Sequence, residues 1–173
     1  MAALLPARPI DGHKGTFGRL LVVAGSIQYT GAACLAAAAA YRVGCGLVTA
    51  AVPTSVRPIL AAMLPEATFV VLPEDLGVVT RSAAPLVAEA AAECDAWVLG
   101  PGLTTAPSAG QFVAALLGGP AAGADVGIGF AGLQPDARPE AGLPLSASLP
   151  HRLVLDAGGL TLVDASTSAG LPA

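Results

Sequence analysis

Residues 13–53, HKGTFGRLLVVAGSIQYTGAACLAAAAAYRVGCGLVTAAVP, leave a folding chain few choices. Arg19 to Ala24 is a short apolar run rich in Leu and Val, the pattern of a buried strand. The segment GSIQYTG at 25–31 breaks it with two glycines around polar residues. Ala32 to Val43 contains only residues that a helix favours or tolerates, and Gly44-Cys45-Gly46 ends it with a flexible C-cap. Leu47 to Val52 is again an apolar strand. Strand, glycine-bearing loop, helix and strand make one βαβ unit, whose crossover is expected to be right-handed.

The loop at 25–31 opens onto a helix N-terminus, where free backbone N–H groups and the helix dipole favour an anion. Gly31 at this entrance leaves room for a ligand beside the backbone. No acidic residue occurs between Gly12 and Pro65, and Lys14, Arg19, Arg42 and Arg57 are all positive, in a chain of net charge -4. That pattern suggests a phosphorylated or otherwise anionic small molecule. The alternative is a βαβ turn that binds nothing, with Ala36–Ala40 serving only to bring the helix backbone close to its neighbours. Lys14, beside Gly15, could likewise reach an anion or be a solvated loop lysine.

The chain has 173 residues, enough for one domain with a sizeable core, and is 54% hydrophobic and 12% charged with a mean hydropathy of +0.72. The uncharged stretch from Leu20 to Tyr41 has the length of a membrane span, but Gly25, Ser26, Gln28, Thr30 and Gly31 divide it into strand and Ala-rich helix. A cytoplasmic α/β protein without a membrane partner is the expectation. Pro6 and Pro9 and the lack of a basic start argue against a signal peptide. Cys34, Cys45 and Cys94 lack metal-ligand spacing and read as buried, reduced thiols. A pI near 4.9 with few aromatics argues against nucleic acid as a partner.

Beyond residue 53, Thr54-Ser55 offers an N-cap for a short helix through Ala62, and Thr68 to Leu72 reads as a third strand. Residues 73–82 read as loop, 84–93 as a helix and 96–99 as a strand. Gly100-Pro101-Gly102-Leu103 follows that strand, where open α/β sheets place their ligand crevices. A tight turn into the helix at 108–117 is the competing reading. Residues 118–150 sustain no period and carry few charges, so they read as a mobile surface insertion in a single domain spanning 1–173. The strand 153–155 follows, and Asp156 either caps a short helix through Val163 or faces the crevice.

With these pieces placed, the chain resembles the dehydratase domain of NAD(P)H-hydrate repair enzymes, a ribokinase-like family. The resemblance is carried by HKGTFGRLLVVAGS at 13–26, YTGAACLAA at 29–37, GCGLVT at 44–49, LPEAT at 64–68, GPGL at 100–103 and LVLDAGGL at 153–160. It implies a three-layer fold, a largely parallel sheet with helices on both faces, in agreement with the strand–helix alternation. It also implies repair of hydrated NADH or NADPH (the S-epimer) with ADP or ATP and Mg, by phosphorylation of the C6 hydroxyl of the nicotinamide ring and loss of phosphate. Ala33, in TGAA, and Gly102, in GPGL, would contact the hydrated dinucleotide. Lys14, Gly31 and Asp156 are further candidates, and family members of full length are expected to be homo-oligomers.

The family pattern continues with a PHxGE-type segment, a lysine–glycine nucleotide loop and a glycine-rich GTGD anion hole with its catalytic aspartate. None of these occurs among the 173 residues, so the resemblance assigns no catalytic residue here. It implies a fold incomplete at its C-terminus: a fragment, an early-terminated frame or a decayed copy carrying the substrate half of the site. Two alternatives stand beside that reading. One is a ribokinase-like kinase of vitamins or sugars, and the other is a non-catalytic dinucleotide-binding protein.

Overall fold

A computed structural model describes residues 8–118 and 152–163. Strand β1 (Arg19–Val23), helix α1 (Thr30–Val43) and strand β2 (Leu47–Pro53) form the βαβ unit expected from the sequence. They are followed by α2 (Arg57–Met63), β3 (Thr68–Leu72), a small hairpin of β4 (Glu74–Asp75) and β5 (Val78–Val79), and α3 (Ala84–Ala92). Then come β6 (Ala96–Leu99), α4 (Pro107–Leu117), β7 (Leu153–Leu155) and the short α5 (Gly158–Leu162). Five strands make one sheet in the order β3-β2-β1-β6-β7, and every pairing within it is parallel.

That order runs outward from β1 to β3, then returns to the other side of β1 with β6. Val23 pairs with Ala51 of β2 on one side and Leu99 of β6 on the other, so β1 and β6 end level while β2 runs on two residues to Pro53. Loops leaving β1 and β6 depart on opposite faces of the sheet, and a crevice opens between them.

Both faces of the central strands β1 and β2 are covered, and the period of two along each divides the core. Leu21 and Val23 pack with Trp97, Leu99, Val87, Phe112 and Leu116 on the side of α3 and α4. Val22 and Ala24 pack with Val48, Ala50, Val52, Ala37 and Leu60 on the side of α1 and α2. Strands buried on both faces read as continuous apolar runs, which is why RLLVV and LVTAAVP show no clean alternation. Helix α1 turns Ala33, Cys34, Ala37 and Ala40 to the sheet, and these small side chains let it lie close. Fully burying side chains such as Leu21 and Phe112 contributes roughly 1.5–3 kcal/mol each.

Two local details differ from the sequence reading. Residues 74–79, read as loop, hold the β4–β5 hairpin, turned by Leu76 at φ 48° and Gly77 at φ 80°. Its strands have two residues each, too short for a periodic signal. Thr54 and Ser55 do not cap α2, whose N-cap is Val56. Thr54 Oγ1 donates to the Leu72 carbonyl instead, and Ser55 gives both N–H and hydroxyl to the Glu74 carboxylate. The segment 118–150, read as a mobile insertion, lies outside the described residues except for Gly118, the left-handed C-cap of α4. No helix among the described residues is long and apolar enough to cross a membrane.

Candidate functional site

Two loops meet where the strand order reverses, and backbone bonds lock them together. The Gly25 N–H donates to the Pro101 carbonyl at 2.8 Å, and the Gly100 N–H donates to the Val23 carbonyl at 3.1 Å. The Ser26 hydroxyl donates to the Gly102 carbonyl at 2.9 Å. From the side, the Ile27 N–H donates to the Gly77 carbonyl at the hairpin tip, 2.9 Å away. The third segment, after β7, is fixed in the same way: Asp156 N–H donates to the Leu99 carbonyl at 3.1 Å.

Between these segments lies a cavity of about 570 Å³, within the size range of small-molecule sites. The first loop and α1 contribute Gln28, Tyr29 and Ala32 to its lining. The turn after β6 contributes Gly102, Leu103, Thr104 and Thr105, and the segment after β7 contributes Ala157, Gly158 and Thr161. Among the described residues, no charged side chain lines it. Three threonine hydroxyls, a glutamine amide and a tyrosine offer donors and acceptors to a neutral polar group. Tyr29 is 56% exposed, so its ring is available to a ligand.

Gly102 lies in the wall at φ +73°, and a Cβ there would come within 2.8 Å of both Ala32 Cβ and the Tyr29 carbonyl. Ala33 is fully buried against Gly25 in the core under α1, and its neighbour Ala32 is the residue that faces the cavity. Gly31 is exposed, with open space where a Cβ would stand, and does not line the cavity. Asp156 is exposed at the end of β7 and holds its place through its backbone. It does not cap α5, whose N-cap, Ala157, makes no side-chain cap bond.

Lys14 sits in a 3-10 turn before β1, with its backbone against Gly46 at the start of β2. That is the amino edge of the sheet, about 16 Å of strand away from the cavity at ~3.3 Å per residue. Arg19, at the start of β1, and Arg42, at the end of α1, share that edge. The basic group expected at the α1 mouth is therefore dispersed: a βαβ unit returns to the amino edge between its strands, so residues near in sequence alternate between opposite ends. Burial raises the Tyr41 hydroxyl and the Cys94 thiol above their ordinary pKa values, and both groups belong to the amino edge.

Of the candidates read from the sequence, Gly102 is the one that lines this cavity, and none of the polar side chains around it was among them. Thr104 and Thr105 directly follow GPGL, and Gln28-Tyr29 lies inside the first glycine loop. Polar or aromatic residues just past a strand's carboxyl end were the available signal.

A family model described as NAD(P)H-hydrate dehydratase matches residues 20–119. The bifunctional NAD(P)H-hydrate repair enzyme Nnr of Moorella thermoacetica is 46% identical over 114 residues, 65% of this chain and 22% of that protein. An ADP-dependent (S)-NAD(P)H-hydrate dehydratase of Lactiplantibacillus plantarum is 32% identical over 166 residues, 96% of this chain and 46% of that one. The crystal structure of the ADP/ATP-dependent NAD(P)H-hydrate dehydratase of Bacillus subtilis, co-crystallised with ATP/Mg2+, superposes with a TM-score of 0.56 at 28% identity. That match covers 91% of this chain and 43% of the Bacillus chain. The matched stretch thus spans less than half the length of each of these relatives.

Proposed function

The chain belongs to the NAD(P)H-hydrate dehydratase family, and on that premise we propose that its cavity receives the S-epimer of hydrated NADH or NADPH for ADP- or ATP-dependent dehydration back to the reduced dinucleotide. The observation that carries this reading is the cavity at the point where strand order reverses, walled by Gly102 of the GPGL motif. Its chemistry supports binding of the ring end of the dinucleotide. An uncharged lining of threonine, glutamine and tyrosine suits a neutral ring with a carboxamide, whose donors and acceptors those groups can pair. The pyrophosphate stays outside in water, since burying it without a cationic partner is costly. Gly102 and Ala32 bring the ring close to backbone, and Tyr29 supplies an apolar face beside it. Ala33 acts from beneath by seating α1, and Gly31, Lys14 and Asp156 stay clear of the ring.

The nucleotide and its magnesium find no matching set among the described residues. No group of three or more His, Cys, Asp or Glu there could hold a metal ion, and no charged side chain lines the cavity. The part assigned to the described residues is therefore to bind and orient the dinucleotide. Free Cys34, Cys45 and Cys94 suit a reducing, cytoplasmic setting, and the family member of full length acts as a homo-oligomer.

A dinucleotide-binding protein without turnover is the second reading, favoured by that uncharged lining. Purified residues 1–173 are expected to bind the S-epimer of hydrated NADPH by calorimetry, and mass spectrometry after addition of ATP or ADP then separates dehydration from binding alone. Phosphoryl transfer needs its donor held in line and the developing charge stabilised. Clear turnover would remove the second reading, and absence of binding would remove both.

A further inference from the structure

We infer that Ser26 is a positioning residue that fixes the Gly102 wall of the cavity; the inference rests on the dinucleotide reading of that cavity. Ser26 is the one buried polar side chain among the described residues, 1% exposed. A buried hydroxyl without a partner costs about 1–3 kcal/mol, so its single bond is informative. That bond runs to the Gly102 carbonyl at 2.9 Å, across 76 residues of sequence.

Its effect follows from the peptide geometry of the turn. The Gly25 N–H holds the Pro101 carbonyl at 2.8 Å, and every described peptide bond is trans. A trans peptide sets its N–H opposite its carbonyl. The Gly102 N–H therefore points away from the loop after β1. The next peptide is held at both ends, by Ser26 on the Gly102 carbonyl and by the Leu103 N–H on the Gly100 carbonyl at 3.0 Å. Gly102 stands between them at φ +73°. A glycine has other conformations open to it at little steric cost, so the second anchor selects among them. Ser26 touches no ligand. It sets the orientation of the Gly102–Leu103 peptide, and through it the wall that the dinucleotide lies against.

The test uses the full chain, the S-epimer of hydrated NADPH as probe, and three variants: Ser26→Ala, Ser26→Cys and Ser26→Thr. Affinity is measured by calorimetry well below each unfolding midpoint, and amide exchange is followed at Gly102 and Leu103. Ser26→Ala is expected to weaken binding roughly tenfold, equal to about 1.4 kcal/mol, with faster exchange at those two amides. Ser26→Thr keeps the hydroxyl and should recover most of the affinity, a rescue that a merely structural loss of packing would not give. If Ser26→Ala fails to fold, Ser26→Cys keeps the volume with only a weak donor and is expected to show the same loss. Unchanged affinity in a folded Ser26→Ala or Ser26→Cys chain overturns the inference alone, as does Ser26→Thr binding no better than Ser26→Ala at equal stability. Absence of binding by the unaltered chain overturns it together with the dinucleotide reading.

Discussion

The loop after β1 and the turn after β6 meet at the cavity but build it from different material. The first supplies side chains, Gln28 and Tyr29, and the second supplies backbone at Gly102 and hydroxyls at Thr104 and Thr105. Their glycines differ in the same way. Gly100 and Gly102 both have positive φ and protein packed where a Cβ would stand. In the first loop only Gly25, at φ +84°, is so placed, while Gly31 faces open space. A glycine thus marks either a close approach of the protein to itself or a position under no constraint. Only the first kind shapes a site.

Gly100→Ala should cause the largest loss. At φ +127° its Cβ would collide with the Asp156 carbonyl and the Gly159 backbone, neither of which can swing aside as a side chain can. The expected cost is about 3 kcal/mol or more in urea denaturation, as strain and displaced backbone combine. A loss under ~1 kcal/mol would show that β7 and α5 are not seated against β6.

Gly102→Ala comes next. The new Cβ would press on Ala32 and the Tyr29 carbonyl at φ +73°, a strain of about 1–3 kcal/mol. Because that strain falls on the cavity wall, affinity for the hydrated dinucleotide should drop more than roughly tenfold. Full affinity in the folded variant would mean that the ligand does not lie against this turn.

Tyr29→Ala tests the side-chain contribution. With 56% of the residue exposed, the fold should survive and the unfolding midpoint should barely move. Calorimetry should show a loss of about 0.5–1.5 kcal/mol in binding, the range of an aromatic contact, which Tyr29→Phe restores. Equal affinity for all three chains would leave the ring without a role.

Gly31→Ala should have the smallest effect, and of opposite sign. Replacing a helical glycine with alanine in open space stabilises by a few tenths to about 1 kcal/mol, and binding should be unchanged. A marked loss of affinity would return the ligand to the α1 mouth, as the glycine and basic pattern suggested.

Residues 19–53 contain their own fold. Apolar runs too long to be half-buried, a glycine-broken loop and an alanine-rich helix determine a parallel βαβ unit, and β1, α1 and β2 follow it within a few residues. The glycine turn after β6 was legible as a candidate crevice for the same local reason, since a strand ending in two glycines must stop and turn. The hairpin at 74–79 escaped notice because two-residue strands carry no period. The bonds of Ser55 to Glu74 and Ser26 to Gly102 escaped because the partners are far apart in sequence.

Local sequence determined which residues became strands, helices and breaks, because backbone propensity and burial period act within a few residues. Tertiary structure alone decided which breaks face each other. The return of β6 to the far side of β1 brings Tyr29, Gly102 and Thr161 around one cavity. It also leaves Lys14, Arg19 and Arg42 at the opposite edge, and the helical pitch of α1 turns Ala32 to the cavity while Ala33 enters the core. Strand order and helix rotation are settled by long-range packing, through which residues distant in sequence share one buried surface.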